Sequence, residues 1–298
     1  MKERLGMNAH LPSAVTLDLV PATGIGSIRA DFNWPMIQPE RNRWAWDVTD
    51  QVVHDARTRQ IEVFATLAYT PDWANGAQGR HVPPVEVSDW VDFVRAVALR
   101  YRHNVWHWGL WNEPNISGYW AGSVDQYVDQ IVMPAAGVLH EIGSENRVCA
   151  PDLSTEGNWP TWFKRMLERS QASVDIITVH SYQDNGHEVW RALARSPQWW
   201  EVWKKPSVRQ VIDAAGCGHL PTWLTECGWN TEQVSDAHQA ESYDQLLEDF
   251  PKHGWVQRVF GYQLQDEPNP VLWGIYRQDG TPKPAVEVFR RHGAPPMV

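Results

Sequence analysis

The chain has 298 residues, a formal net charge of −10 and three cysteines. No Ser/Gly linker, low-complexity stretch or charge run divides it, so it reads as one domain over residues 1–298. The acidic balance argues against a nucleic-acid or anionic-membrane partner. No apolar run approaches the roughly 20 residues of a membrane span, and three cysteines without a CxxC pair suggest neither a disulfide framework nor a metal site.

The N-terminus, Met1-Lys2-Glu3-Arg4-Leu5, enters a first strand at about Arg4–Asn8. No signal-peptide pattern precedes it, which leaves a cytoplasmic protein or a secreted one with its signal removed. A second strand is expected at about Gly26–Asp31, then a helix from Asp47 with Val48, Val52 and Ala56 on one face. Strand three follows at Glu62–Ala68, then a helix after Ser88, and strand four at Val105–Trp111.

Ser123-Val124-Asp125-Gln126 has the form of a capping box and opens a helix to about Ile142, with a kink expected at Pro134. Strand five is read at Arg147–Ala150, with a helix at about Trp159–Ser170. Strand six is Asp175–His180. A Trp-rich insertion from Trp190 to Trp203 precedes a helix ending near Ala215-Gly216. Strand seven is Thr222–Thr225, Ser235 caps a helix to about Phe250, and strand eight is Val256–Leu264. A last helix follows Thr281-Pro282-Lys283-Pro284.

Eight strand–helix units imply a parallel sheet closed as a (β/α)₈ barrel. A doubly wound sheet would carry a Gly-rich turn after strand one, and Asn8-Ala9-His10-Leu11-Pro12 is not one.

Polar residues at strand C-termini gather at one mouth of such a barrel. Here they are Asn8 and His10, Arg29 and Asp31, Tyr69, Asn112 and Glu113, His180 and Tyr182, Glu226, and Gln263 and Gln265. Two carboxylates in a polar ring suit glycosidic cleavage, which needs one protonated acid and one anion. Arg29 and Tyr182 are natural donors to Glu226, although Arg29 could instead pair with Asp31. His180 and His10 could equally be barrel histidines held by neighbours. The Trp residues of strand four are expected to wall Glu113.

The chain carries 19 tryptophans, and indole faces suit the apolar faces of sugar rings. Trp34, Trp73, Trp120, Trp229 and Trp273 fall in expected mouth loops and are candidates for stacking. Trp106, Trp108 and Trp223 are mid-strand and read as packing. His103 and His107 do not form an HExxH helix and no His-x-His pair closes strand one, so neither a metal nor another cofactor is expected.

The segments Trp111-Asn112-Glu113-Pro114-Asn115 and Thr225-Glu226-Cys227-Gly228-Trp229 resemble those of glycoside hydrolase clan A. So do Ile28-Arg29-Ala30-Asp31-Phe32-Asn33-Trp34, Leu67-Ala68-Tyr69-Thr70-Pro71-Asp72-Trp73-Ala74, Trp273-Gly274-Ile275-Tyr276 and Asp279-Gly280-Thr281-Pro282-Lys283-Pro284-Ala285. The likeness spans nearly the whole chain and is nearest to family 39-like and cellulase-like members. It implies a retaining β-glycosidase with Glu113 as acid/base and Glu226 as nucleophile. It further implies that Arg29 supports the nucleophile, Asn112 binds a 2-hydroxyl, and His180 and Tyr182 line the −1 subsite. Many clan members place a Trp at the end of strand eight, whereas here Tyr262-Gln263-Leu264-Gln265 stands there and Trp273 follows in the loop.

The expectation is a monomer acting on an oligo- or polysaccharide, endo-acting on a β-glucan or related glycan. An exo-β-glycosidase such as a xylosidase, and a non-catalytic glycan-binding barrel, are the alternatives. The sugar is not legible in any motif.

Overall fold

The computed structural model describes residues 2–195, 205–268 and 271–294. Eight parallel strands close into a barrel in chain order. They are β1 Leu5–His10, β2 Ser27–Asn33, β3 Glu62–Ala68, β4 Val105–Leu110, β5 Arg147–Ser154, β6 Ile176–His180, β7 Thr222–Glu226 and β8 Val256–Gly261. The pairing of Leu5 with Val259 and of Met7 with Gly261 completes the ring.

Both faces of each strand are covered, one by the barrel interior and one by helices, which explains their near-continuous apolar runs. Phe64, Cys149, Ile176, Trp223 and Phe260 form a cluster of their own. Two residues farther along β6 and β7, Thr178 and Thr225 point the same way as Ile176 and Trp223 and continue the filling toward the mouth. Glycine is required where the aromatics crowd the wall: a Cβ on Gly6 would stand 2.4 Å from the Phe260 ring.

The larger core lies between strands and helices. The helices Asp47–Thr58, Val87–Tyr101, Met133–Ile142, Trp159–Ser170, Asp236–Asp249 and Ala285–Gly293 follow β2, β3, β4, β5, β7 and β8, and the helices Gly186–Ala194 and Val208–Ala214 follow β6. After β1 there is only a four-residue helix, Ala14–Leu17, and a 3₁₀ turn.

The Ser123 capping box forms with both bonds present. The turns just before Pro134 widen to π-helical pairing over Tyr127–Val132, so the disturbance expected at the proline falls one turn earlier. The helix read from an Asp47 cap begins at Asp47 itself, with Trp46 preceding it and no side-chain cap. Of the Trp-rich stretch, Trp190 lies in the helix Gly186–Ala194, while Trp199, Trp200 and Trp203 lie outside the described residues.

Two strand ends differ from expectation by three residues or more. β8 stops at Gly261, and β5 runs on through Pro151 to Ser154 with a shift of register against β6 between Ala150 and Leu153. The second difference carries a buried aspartate, Asp152, to the mouth.

Candidate active site

A cavity of about 290 Å³ opens at the C-terminal ends of the strands. Its lining includes His10, Arg29, Asp31, Asn112, Glu113, Tyr182, Glu226 and Trp273. The backbone is bent into shape here. Among the described residues seven non-glycine positions have positive φ, and five of them (His10, Tyr69, Trp111, Glu113 and Asp152) sit at this mouth. Left-handed backbone is costly for such residues and collects where function demands a particular side-chain direction.

Glu226 ends β7 and is held from two sides. Arg29 Nη1 donates to its Oε1 at 2.7 Å, and the Tyr182 hydroxyl donates to its Oε2 at 2.6 Å. Arg29 is almost fully buried and spans four partners, since Nη1 also donates to Asn8 Oδ1 while Nη2 donates to Asn112 Oδ1 and Asp152 Oδ2. Burial opposes its charge, but Asp152 and Glu226 outweigh that and hold the guanidinium firmly protonated. Arg29 therefore does not pair with Asp31 through a direct bond. Asp31 instead accepts from His10 Nδ1 at 2.9 Å, and His10 Nε2 meets Gln263 Oε1 at 2.8 Å.

Glu113 stands just past β4, its backbone N–H bonded to the Asp152 carbonyl. Its Oε1 lies 2.9 Å from His180 Nδ1, and the same nitrogen lies 3.4 Å from Glu226 Oε2. One ligand atom from each of Glu113, His180 and Glu226 lies within 4.8 Å of the other two. The Trp residues of β4 do not wall Glu113. Trp108 donates to Asn146 and Trp111 to the Tyr119 carbonyl, and both are buried. The aromatic walls of the cavity are Tyr69, Tyr119, Tyr182, Tyr262 and Trp273. Burial and the Glu226 charge push the Tyr182 phenol well up, which keeps it a donor.

Asp152 was not legible as a site residue. It accepts from Arg29, and Thr225 Oγ1 donates to its Oδ1 at 2.6 Å. Its own backbone N–H donates to Thr178 Oγ1. Burial works against its charge, yet Arg29, His180 and Thr225 together hold it well below the usual carboxylate range.

Among the tryptophans expected to stack on sugar, only Trp273 lines this cavity. Its ring stands edge-on to Tyr182 and Tyr262, at 5.2 and 5.9 Å. The loop that carries it is fastened on both flanks. Lys283 Nζ donates to the Leu272 carbonyl and to Asp266 Oδ1, and the Gly274 N–H donates to the same Asp266 oxygen. Lys283 and Asp266 are both buried.

Trp34 is a correction. It opens the short helix Trp34–Ile37, is fully buried, and packs on Trp73, Trp90 and Phe93 with its Nε1 bonded to Gln38. Trp229 is another. It sits edge-on to Tyr243 and donates to the Gln183 carbonyl, fastening the loop after β7 to the loop after β6. Trp120 is buried against Trp111, and Trp73 donates to the Gln38 carbonyl. Trp106, read as packing, is 39% exposed.

The family model for glycosyl hydrolases family 39 matches residues 41–247. A β-xylosidase of Geobacillus stearothermophilus is 22% identical over 210 residues, 63% of this chain and 42% of that protein. A family 39 glycoside hydrolase from Bacteroides cellulosilyticus WH2 superposes with a TM-score of 0.76 at 18% identity, covering 97% of this chain and 63% of that one. A monomeric β-xylosidase from Caulobacter crescentus CB15 superposes at 0.71 and 20% identity, covering 98% and 68%. The chain thus spans under half the length of the Geobacillus relative and under two thirds of the Bacteroides structure. With a match over more than half of its residues, and a closed eight-stranded barrel, this chain belongs to glycoside hydrolase family 39, in clan A.

Proposed function

We propose that the protein is a retaining β-glycoside hydrolase. Glu226 attacks the anomeric carbon to form a glycosyl ester, while Glu113 gives its proton to the departing oxygen. Glu113 then takes a proton from water as that water attacks the same carbon. The observation that carries this reading is the approach of the two carboxylates to within 4.8 Å, oxygen to oxygen. Retention uses carboxyl groups about 5–5.5 Å apart, whereas inversion leaves room for a water at about 6.5–9.5 Å. The differing surroundings support the roles: Glu226 accepts from Arg29 and Tyr182, as an anion requires, while Glu113 faces a single histidine nitrogen. Asn112, whose Oδ1 is taken by Arg29, has its amide NH₂ left for a sugar hydroxyl. Trp273 offers an indole face from the loop after β8, in place of a Trp at the strand end.

Endo action on a β-linked glycan is our reading of the cleft. The central cavity shares Asn33 and Tyr69 with a neighbouring one of about 450 Å³, and shares His10 with another of about 350 Å³ on its other flank. A groove that continues past the central sugar suits a chain better than a single terminal residue. The β-xylosidases among the relatives favour the second reading, exo-cleavage of terminal xylose. A monomer is the expected working form.

The test is NMR of the first anomer released from xylo- and gluco-oligosaccharides, with chromatography of early products. Initial β-anomer with internal cuts fits the proposal. Release of single xylose units alone selects the exo reading, initial α-anomer overturns retention, and binding with no turnover favours a glycan-binding barrel.

A further inference from the structure

We infer that Asp152 is a positioning residue that keeps a proton on the His180–Glu113 pair, and so sets the alkaline limit of the proposed double displacement. The inference rests on that reading of Glu113 and Glu226.

Asp152 touches the site from beneath and joins five strands' worth of machinery. Its side chain binds Arg29 of β2 and Thr225 of β7, its carbonyl accepts from the Glu113 N–H beyond β4, and its N–H donates to Thr178 of β6. His180, also on β6, lies between three carboxylates. Glu113 Oε1 and Glu226 Oε2 are 2.9 and 3.4 Å from Nδ1, and Asp152 Oδ1 is 3.6 Å from Nε2. The last distance is too long for a good hydrogen bond but short for a charge interaction in a buried place. The other groups facing the pair are the Arg29 guanidinium, whose two terminal nitrogens are already bonded to Asp152, Glu226, Asn8 and Asn112, and the neutral phenols of Tyr182 and Tyr119.

The charge count makes the case. Arg29 contributes +1, while Glu226 and Asp152 contribute −1 each. With one shared proton the His180–Glu113 pair is neutral, whichever atom holds it, and the site totals −1. Loss of that proton would take a buried site to −2, which the fixed Asp152 charge opposes. Burial alone would strip His180 of its proton, but the Glu226 charge, the Asp152 carboxylate facing Nε2 and the bond to Glu113 raise its pKa to about 9. In the first step Glu113 passes the pair's proton to the leaving oxygen as the C–O bond breaks. In the second, water gives its hydroxide to the anomeric carbon and its proton back to Glu113. The pair begins and ends each turnover with one proton, and such coupled groups titrate as a unit.

Asp152→Asn keeps the shape and, with its amide oxygen in the place of Oδ2, the bond from Arg29, while its NH₂ takes the place of Oδ1 and donates to the Thr225 hydroxyl, which can turn to accept. The basic limb of kcat/KM on 4-nitrophenyl β-D-xylopyranoside should move down by about one pH unit or more. The His180 ring signals of ¹⁵N-histidine-labelled protein should titrate lower by a like amount. A role confined to folding would lower the thermal midpoint and leave both titrations in place, which overturns the inference. If the variant does not fold, the unsubstituted protein still decides, because a His180 titration midpoint below about 7 is incompatible with a pair held protonated by Asp152. The NMR titration needs no turnover, so failure to cleave any aryl glycoside counts against the proposed function, and a normal His180 midpoint counts against this inference.

Discussion

The ring of Trp273 meets the ring of Tyr182 edge-on at 5.2 Å, and Tyr182 is the residue whose hydroxyl holds Glu226. The aromatic offered to the sugar and the donor to the proposed nucleophile therefore brace each other. Tyr182→Phe keeps the ring contact and removes the bond. A hydrogen bond to a charged group contributes about 1.5–3 kcal/mol, so kcat/KM should fall about 10- to 100-fold. Trp273→Ala should cost at least as much and raise KM. If Tyr182→Phe is neutral while Trp273→Ala is not, the brace serves sugar binding alone.

Arg29 is a fixed cation shared by Glu226 and Asp152. Arg29→Met would leave two buried carboxylates facing each other without it. Breaking a buried pair on one side costs about 3–5 kcal/mol of stability. The thermal midpoint should drop by several degrees, and kcat/KM of the folded fraction by about 10²-fold or more. The acidic limb of the pH–rate profile should move up, since a carboxylate without its cation takes a proton more readily. Calorimetry and a pH profile on one preparation check both. A destabilised enzyme with an unchanged rate and limb would make Arg29 a structural residue only.

The two proposed roles separate chemically. Glu226→Ala should abolish turnover of every substrate. Glu113→Ala should still cleave aryl glycosides whose leaving group needs no proton, and azide should accelerate it by standing in for the missing base. General acid–base assistance contributes about 10²- to 10⁴-fold, so the loss on an unactivated disaccharide should fall in that range. Equal losses on both substrate types, in both variants, would remove the assignment.

Acid sensitivity should come partly from the opposite end of the barrel. Glu62 of β3 lies 2.8 Å from Arg258 Nη1 and 2.7 Å from His107 Nδ1. Burial opposes its charge, but bonds to His107 and Arg258 lower its pKa to about 2. A carboxylate depressed by folding stabilises the native state above its unfolded pKa, and that contribution fades as pH falls through the folded value. The contribution should be whole above about pH 5 and lost toward pH 2, amounting to about 1–3 kcal/mol. Glu62→Gln should therefore lower the thermal midpoint at pH 7 and narrow the gap to the parent near pH 3. A constant gap across that range would show that the pair contributes through packing.

The barrel was legible because eight apolar strands alternate with helical periodicity, and a parallel sheet buried on both faces leaves that pattern plainly. Glu113, Glu226, Arg29, Asn112, His180 and Tyr182 were legible because strand ends in a barrel converge on one mouth, and all of them do so. Asp152 lies beyond Ala150, the end expected for strand five, because the strand shifts register there and continues to Ser154. An aspartate directly after Pro151, within a buried run ending at Ser154, was the available signal. Trp34 and Trp229 misled for the opposite reason. Indole chemistry serves a core and a sugar equally well, and the packing of Trp34 on Trp73, Trp90 and Phe93 depends on long-range contacts from the β2 loop to the β3 loop and the helix Val87–Tyr101 that local sequence does not encode.

An aromatic carried on a strand inherits the stiffness of the barrel, whereas one carried on a loop is only as still as the loop's own bonds. Lys283 and Asp266 give the Trp273 loop that stillness, gripping the residues on either side of it through backbone atoms and leaving its ring free. The ordering of this indole is then completed when the chain folds, and an arriving sugar does not have to supply it. If Trp273 binds sugar as proposed, the affinity should also depend on the Thr281-Pro282-Lys283-Pro284 turn, where a change of one lysine would loosen the cleft while every residue facing the sugar stayed the same.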